Sequence, residues 1–233
     1  MLAVFKREFK AYFQTPIGFI ILAAYYFFLG LYFYMIYSYG SPETETIIMA
    51  MSTVVVFSVP IITMRLMSED RRQKVDQALL TAPVSLTGIV MGKFLAAMAL
   101  FAVGFLPTVV FEIIVASYVS VNILYFLYAF LGMMLLGGAL IAIGMFISSL
   151  TESSVISAIL TLVINILVLY MSSFASMIKT EFISSIVEKA AFITIFENFG
   201  EKVFSISDIV YFLSIIVAFV FLSIRSLEKR RWS

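Results

Sequence analysis

The sequence contains no cysteine and no histidine. Without cysteine there is no disulfide, no thiolate nucleophile and no cysteine-ligated metal. Without histidine, the commonest general base and the commonest metal ligand are both missing. Charge is scarce too: only 12% of the residues are Asp, Glu, Lys or Arg, against about a quarter in a soluble globular domain. The net charge of +1 supplies no field for nucleic acid or an acidic partner. What fills the chain is apolar. Of 233 residues, 63% are hydrophobic, with 24 Phe and 12 Tyr among them. A single soluble core of this length cannot hide so much apolar surface, so the bilayer is the natural solvent.

Charge-free runs locate the spans, each needing about 20 residues at 1.5 Å per residue. Ala11 to Pro42 and Thr46 to Met64 carry no charge, and Phe94 to Thr151 carries only Glu112. The polar break Ser117 to Asn122 divides that last stretch in two. Ser153 to Ile178 and Ile209 to Ile224 supply two more runs. The expectation is an all-α membrane protein with six transmembrane helices, at about 17–38, 46–66, 90–116, 123–147, 154–176 and 208–225. No small-residue cleavage site follows the first apolar run, which reads as a retained span. No repeat or linker marks a second domain, so residues 1–233 form one membrane domain.

Six spans put both termini on one side. That side then holds Lys6, Arg7, Lys10, Arg65, Arg71, Arg72, Lys74, Lys93, Arg225, Lys229, Arg230 and Arg231, or 12 of the 15 cations. Lys179, Lys189 and Lys202 are left on the other. The positive-inside rule makes the crowded side cytoplasmic, whereas five spans would put the basic tail outside. Residues 1–14 have Leu2, Phe5, Phe9 and Tyr12 or Phe13 at helical spacing, with Lys6, Arg7 and Lys10 between them. This predicts an amphipathic interfacial helix; the alternative is a frayed start to the first span. Thr15-Pro16 disfavours one continuous helix.

The external segment 179–208 mixes charges with Phe182, Ile183, Ile186, Phe192, Phe196 and Phe199. It reads as short amphipathic re-entrant pieces before the last span. Gly132, Gly137, Gly138, Ala142 and Gly144 gather in the fourth span, where small residues permit close helix approach, within the chain or across a dimer. Pro60 and Pro107 are expected to bend spans two and three.

No catalytic, cofactor-binding or metal-binding residue emerges. Gly88-Ile89-Val90-Met91-Gly92-Lys93-Phe94 superficially resembles a phosphate loop. It is one residue short between the glycines, and Phe94 stands where Ser or Thr should hold magnesium. Glu112 is the one carboxylate inside a span. It either lines a polar pathway or snorkels outward, since a charge at mid-bilayer costs about 2.5–3.5 kcal/mol on insertion scales.

The most informative segment is the loop 65–93, RLMSEDRRQKVDQALLTAPVSLTGIVMGK. Ser68 is placed to cap a helix whose first turn holds Glu69 and Asp70, where the helix dipole favours anions. Arg71 and Arg72 follow. Val75, Leu79 and Leu80 then form an apolar patch before Pro83. Such a helix is either a docking surface or packs its leucines back on the bundle.

In this loop the sequence resembles the ABC-2 type transporter permeases. The resemblance rests on Glu69-Asp70-Arg71-Arg72, on Ala78-Leu79-Leu80-Thr81-Ala82-Pro83-Val84-Ser85, and on Gly92-Lys93. Lys6-Arg7-Glu8-Phe9 with Thr15-Pro16-Ile17-Gly18 is similar to the family's N-terminal elbow. Ser148-Ser149-Leu150-Thr151-Glu152 is similar to its loop between spans four and five, and Leu227-Glu228-Lys229-Arg230-Arg231-Trp232 to its basic tail. The closest flavour is the small permeases of gliding motility and copper-enzyme maturation. One departure is Lys74-Val75 before Asp76, where the family usually has Gly-Thr.

The resemblance implies an exporting permease in a prokaryotic plasma membrane that forms a dimer with a second permease chain. It also implies two separate ABC-type ATPase subunits that bind ATP and Mg and dock on residues 65–93. Glu69, Asp70, Arg71, Arg72, Val75, Leu79 and Leu80 would then carry coupling. Two other classes were weighed. A polytopic membrane enzyme is disfavoured by the missing His and Cys. A substrate-capturing importer subunit is disfavoured by the long charged inner loop.

Overall fold

The computed structural model describes residues 1–40, 43–73, 85–175, 191–201 and 204–231, and every element among them is helical. Helix α1 spans Leu2–Gln14 and α2 spans Pro16–Ser38. Between them Thr15 is extended, with φ −113° and ψ 155°, as a residue before proline must be. Pro16 opens α2 at the position where a missing N–H leaves no bond unmade. The corner is tight: a Cβ on Gly18 would stand 2.5 Å from the Tyr12 carbonyl oxygen.

The helical periodicity expected for residues 1–14 is present, but the helix divides its faces more finely. Val4 and Tyr12 are buried against the bundle, with Glu8 between them one turn from each. Phe5, Phe9 and Phe13 form a neighbouring ladder, with ring centroids 5.8 and 5.2 Å apart. Leu2 is exposed.

The second run forms α3 (Thr44–Ala50) and α4 (Ser52–Thr63), parted by Met51 alone. Backbone bonds carry through the break: Met51 N–H donates to Ile47 at 3.1 Å and Val55 N–H to Met51 at 3.0 Å. A five-residue helix, α5 (Ser68–Arg72), follows. Then come α6 (Leu86–Ala116) and α7 (Ile123–Leu150), started by side-chain caps from Ser85 and Asn122. Pro60 lies inside α4 and Pro107 inside α6, and both helices run through them. The chain continues as α8 (Ser154–Leu169), α9 (Met171–Ala175), α10 (Phe192–Gly200) and α11 (Ile206–Arg231).

Helix α7 is the central pole, packed against α3, α4, α6, α8, α10 and α11. Its small residues make this possible. A Cβ on Gly137 would collide with Phe101 of α6, one on Gly132 with Phe199 of α10, and one on Gly144 with Thr63 of α4. The small-residue stripe is thus filled from within the chain. Helix α10 turns Phe192, Ile195, Phe196 and Phe199 inward, where Phe199 stacks on Tyr128 of α7 at 4.6 Å.

Among the described residues, five helical stretches are long and apolar enough to cross a membrane: Pro16–Ser38, Ser52–Arg72 (which takes in α4 and α5), Leu86–Ala116, Ile123–Leu150 and Ile206–Lys229. The fifth run of the sequence differs from the expectation of 154–176. Helix α8 ends at Leu169 after 16 residues, and Tyr170 separates it from α9. At 1.5 Å per residue, α8 covers about 24 Å, short of a hydrocarbon core of about 30 Å. Phe19, Phe27, Phe57, Ile113, Val155 and Val217 face outward, as side chains do when the solvent is lipid. On α8 the Ser157 and Thr161 hydroxyls and the Asn165 amide are buried without a hydrogen-bond partner.

Candidate functional site

The charged residues of 65–72 lie at one end of the bundle, among the starts of α1 and α6 and the junction of α7 with α8. The geometry begins with the end of α4. The last carbonyls of a helix have no partners within it. Here three other elements supply them. Tyr12 of α1 donates its hydroxyl to the Ile62 carbonyl at 2.8 Å. Ser148 of α7 donates to Met64 at 3.2 Å. Lys93 of α6 donates to Leu66 at 2.5 Å, a cation where the helix dipole favours one. Burial pushes the Tyr12 phenol up, so it stays protonated and able to donate.

Lys93 is the centre of this end. Its side chain is 1% exposed, yet it meets Asp70 at 2.7 Å and Glu8 at 3.0 Å. Arg7 completes the group, reaching Glu8 at 2.5 Å and Asp70 at 3.3 Å. Two cations and two carboxylates from α1, α5 and α6 thus form a neutral cluster. Close approach of α1 to α6 makes it possible: next to Lys93, a Cβ on Gly92 would stand 2.9 Å from Val4 Cβ. A buried charge stripped of its partner costs about 3–5 kcal/mol, whereas an exposed pair contributes about 0–1. Lys93 belongs to the first kind.

The other side of α5 is held by the α7–α8 junction. Ser148 Oγ accepts the backbone N–H groups of Met67 and Ser68, each at 3.1 Å. Ser68 itself was expected to cap α5. Instead its hydroxyl donates back to the Met64 carbonyl and lies 3.1 Å from Ser154 Oγ. The cap comes from Ser148, 80 residues away in sequence. Arg71 meets Glu152 at 2.8 Å and donates to the Leu150 carbonyl at 3.0 Å. Glu69 pairs with Arg72 at 2.8 Å and more loosely with Arg65 at 3.8 Å. A cleft of about 440 Å³ opens beside α5, lined by Arg7, Tyr12, Ile17, Ile61, Arg65 and Gln73 among others.

The structure therefore brings together Glu69, Asp70, Arg71 and Arg72. Val75, Leu79 and Leu80 lie outside the described residues. Glu112 is elsewhere, near the far end of α6, buried beside Thr44 and close to Glu45. Its burial against α3 places it inside the bundle, away from the outward-facing surface. Two participants were missed by sequence reasoning. In the sequence Lys93 stood out only as one of the cytoplasmic-side cations and in the Gly92-Lys93 resemblance, and Ser148 only as part of a resemblance. A lysine seven residues into an otherwise apolar helix was the available signal, as was the lone glutamate of a cationic α1.

A family model described as ABC-2 family transporter protein matches residues 8–168. The chain belongs to the ABC-2 transporter family. The match takes in α1 from Glu8 onward, the whole 65–93 segment and nearly all of α8. A comparison with curated proteins returns no match. The family is a membrane component of ABC transporters, generally not itself an enzyme, and its work involves an ATPase partner. As an ABC-2 permease with several helices long enough to cross, the chain is a multi-pass membrane protein. The charged end built on Lys93 and Ser148 belongs to that permease.

Proposed function

We propose that this ABC-2 permease is an exporter subunit of six spans, with α8–α9 as the short fifth. It works as a dimer in a prokaryotic plasma membrane, and both termini and residues 65–93 face the cytoplasm. Two separate ATPase subunits dock on 65–93 and bind ATP and Mg there, in their own chains. The observation that carries this reading is the grip on α5. A docking element drives a bundle only if it is fixed to the helices that must move, and 65–72 is fixed to α1, α6 and α7 at once. The charge count supports the orientation, because 12 of the 15 cations then lie inside. ATP biases the bundle because the nucleotide-bound ATPase dimer favours one of its states over the other.

Leu79→Asp tests the docking surface. If Leu79 sits in a desolvated contact, the substitution weakens docking by about 2–4 kcal/mol. Arg72→Ala, at an exposed rim, weakens it by under about 1 kcal/mol. The Leu79 variant inserts normally but loses ABC-type ATPase subunits on purification in mild detergent. A Leu79→Asp complex that assembles and transports like wild type refutes docking at this patch.

A further inference from the structure

We propose that Lys93, with Glu8 and Asp70, is a rigid joint: it makes α1, α5 and the start of α6 move as one body. This rests on the reading that the ATPase acts through 65–93, and it adds which helices the push reaches first. The link from α5 to α6 passes through one buried ammonium group. Lys93 bonds Asp70 of α5, Glu8 of α1 and the Leu66 carbonyl at the end of the α4 run. Among the described residues, no ion pair on the other side of α5 is equally shielded: Glu152, opposite Arg71, is 64% exposed. Water competes for that outer pair and leaves the Lys93 group alone. A neutral, closed cluster resists separation, since parting any member strands a charge with little water to receive it. The rigid route therefore runs from α5 to α6 and α1. On the α7–α8 side the Arg71–Glu152 pair is the contact able to yield, while buried Ser148 keeps its bonds to the Met67 and Ser68 amides. Lys93 acts here as a positioning residue, through the elements it joins.

The absence of cysteine lets spin labels be placed at will. Lys10 of α1 and Thr87 of α6 are both exposed and serve as label sites. Distances are read by pulsed electron resonance in nanodiscs, for the chain alone and for its complex with ABC-type ATPase, with and without ATP–vanadate. Wild type is expected to give one narrow Lys10–Thr87 distance that ATP–vanadate does not change. The triple variant Glu8→Gln, Asp70→Asn, Lys93→Met removes the buried charges and leaves only Arg7, whose side chain is 43% exposed and reaches water, so it folds and inserts. Its distance is expected to broaden, and in the complex to shift with ATP–vanadate. Lys93→Arg, which keeps the charge, restores the narrow distance. A merely structural role for Lys93 would lower stability without making the distance respond to nucleotide. A triple variant as narrow and unresponsive as wild type overturns the joint, and so does a wild-type distance that moves with ATP–vanadate. If no ATPase assembles, the docking reading fails, while the chain-alone distances still decide whether the joint exists.

Discussion

Ser148→Ala removes a single oxygen atom and exposes how α5 is held. Ser148 is fully buried, and its hydroxyl accepts the N–H groups of Met67 and Ser68, each at 3.1 Å. The Met64 carbonyl keeps the Ser68 hydroxyl as donor when Ser148 is truncated. The loss therefore falls on two backbone donors at the start of a five-residue helix. A buried donor left unmade costs about 1–3 kcal/mol, so two cost about 2–6 kcal/mol if no other acceptor moves in. Side-chain hydrogen bonds between membrane helices average only about 0.6 kcal/mol, because partners are easily replaced there. The gap between these figures makes the experiment decisive. Reversible unfolding of the purified chain in mixed micelles gives the stability change. Hydrogen exchange of peptides covering 65–73 gives its location. The expectation is a loss of about 2–6 kcal/mol, with faster exchange confined to Met67 and Ser68. Ser149→Ala is the control, since its hydroxyl donates to the Phe146 carbonyl and bonds the Ser226 hydroxyl; it costs under about 1 kcal/mol. A Ser148→Ala change near 0.6 kcal/mol with unchanged exchange would refute the long-range cap.

Tyr12→Phe deletes the bond to the Ile62 carbonyl while keeping the ring, and is expected to cost about 1 kcal/mol in the same unfolding assay. Gly92→Val places a Cβ 2.9 Å from Val4, so α1 must lift; overpacking costs about 1–3 kcal/mol. Trypsin should then cut faster at Lys6, Arg7 or Lys10, and an unchanged cutting rate would show that α1 does not rest on Gly92.

Much of the architecture was legible because lipid imposes a simple pattern. A charge-free run of adequate length has few fates in a bilayer, so α2, α6, α7 and α11 fall where the runs predict. The break at Tyr170 was not legible, because Ser153 to Ile178 carries no charge and contains no proline or glycine to mark an end. The small residues of α7 were visible as a stripe, but their partners were not. Whether Gly132 faces Phe199 of the same chain or another copy is a matter of which faces meet, and the pattern has no such information. At the site, Glu69 to Arg72 announced themselves as a charged cluster. Lys93 and Glu8 did not, because their meaning arises only across 85 residues. Ser148 is similar: a serine near a helix end caps its own helix more often than another.

The joint at Lys93 also orders the steps by which the chain must assemble. When α6 first enters the membrane, Lys93 is a bare cation near its border, kept there by its preference for headgroups and water. It can leave that wet position only after Glu8 and Asp70 have arrived to neutralise it. Glu8 is made 85 residues earlier, so α1 waits on the surface while α2 to α5 are synthesised after it. The cluster closes when the last of its three contributors docks. Withdrawal of one lysine from water thus marks the moment at which separate inserted helices become a single machine.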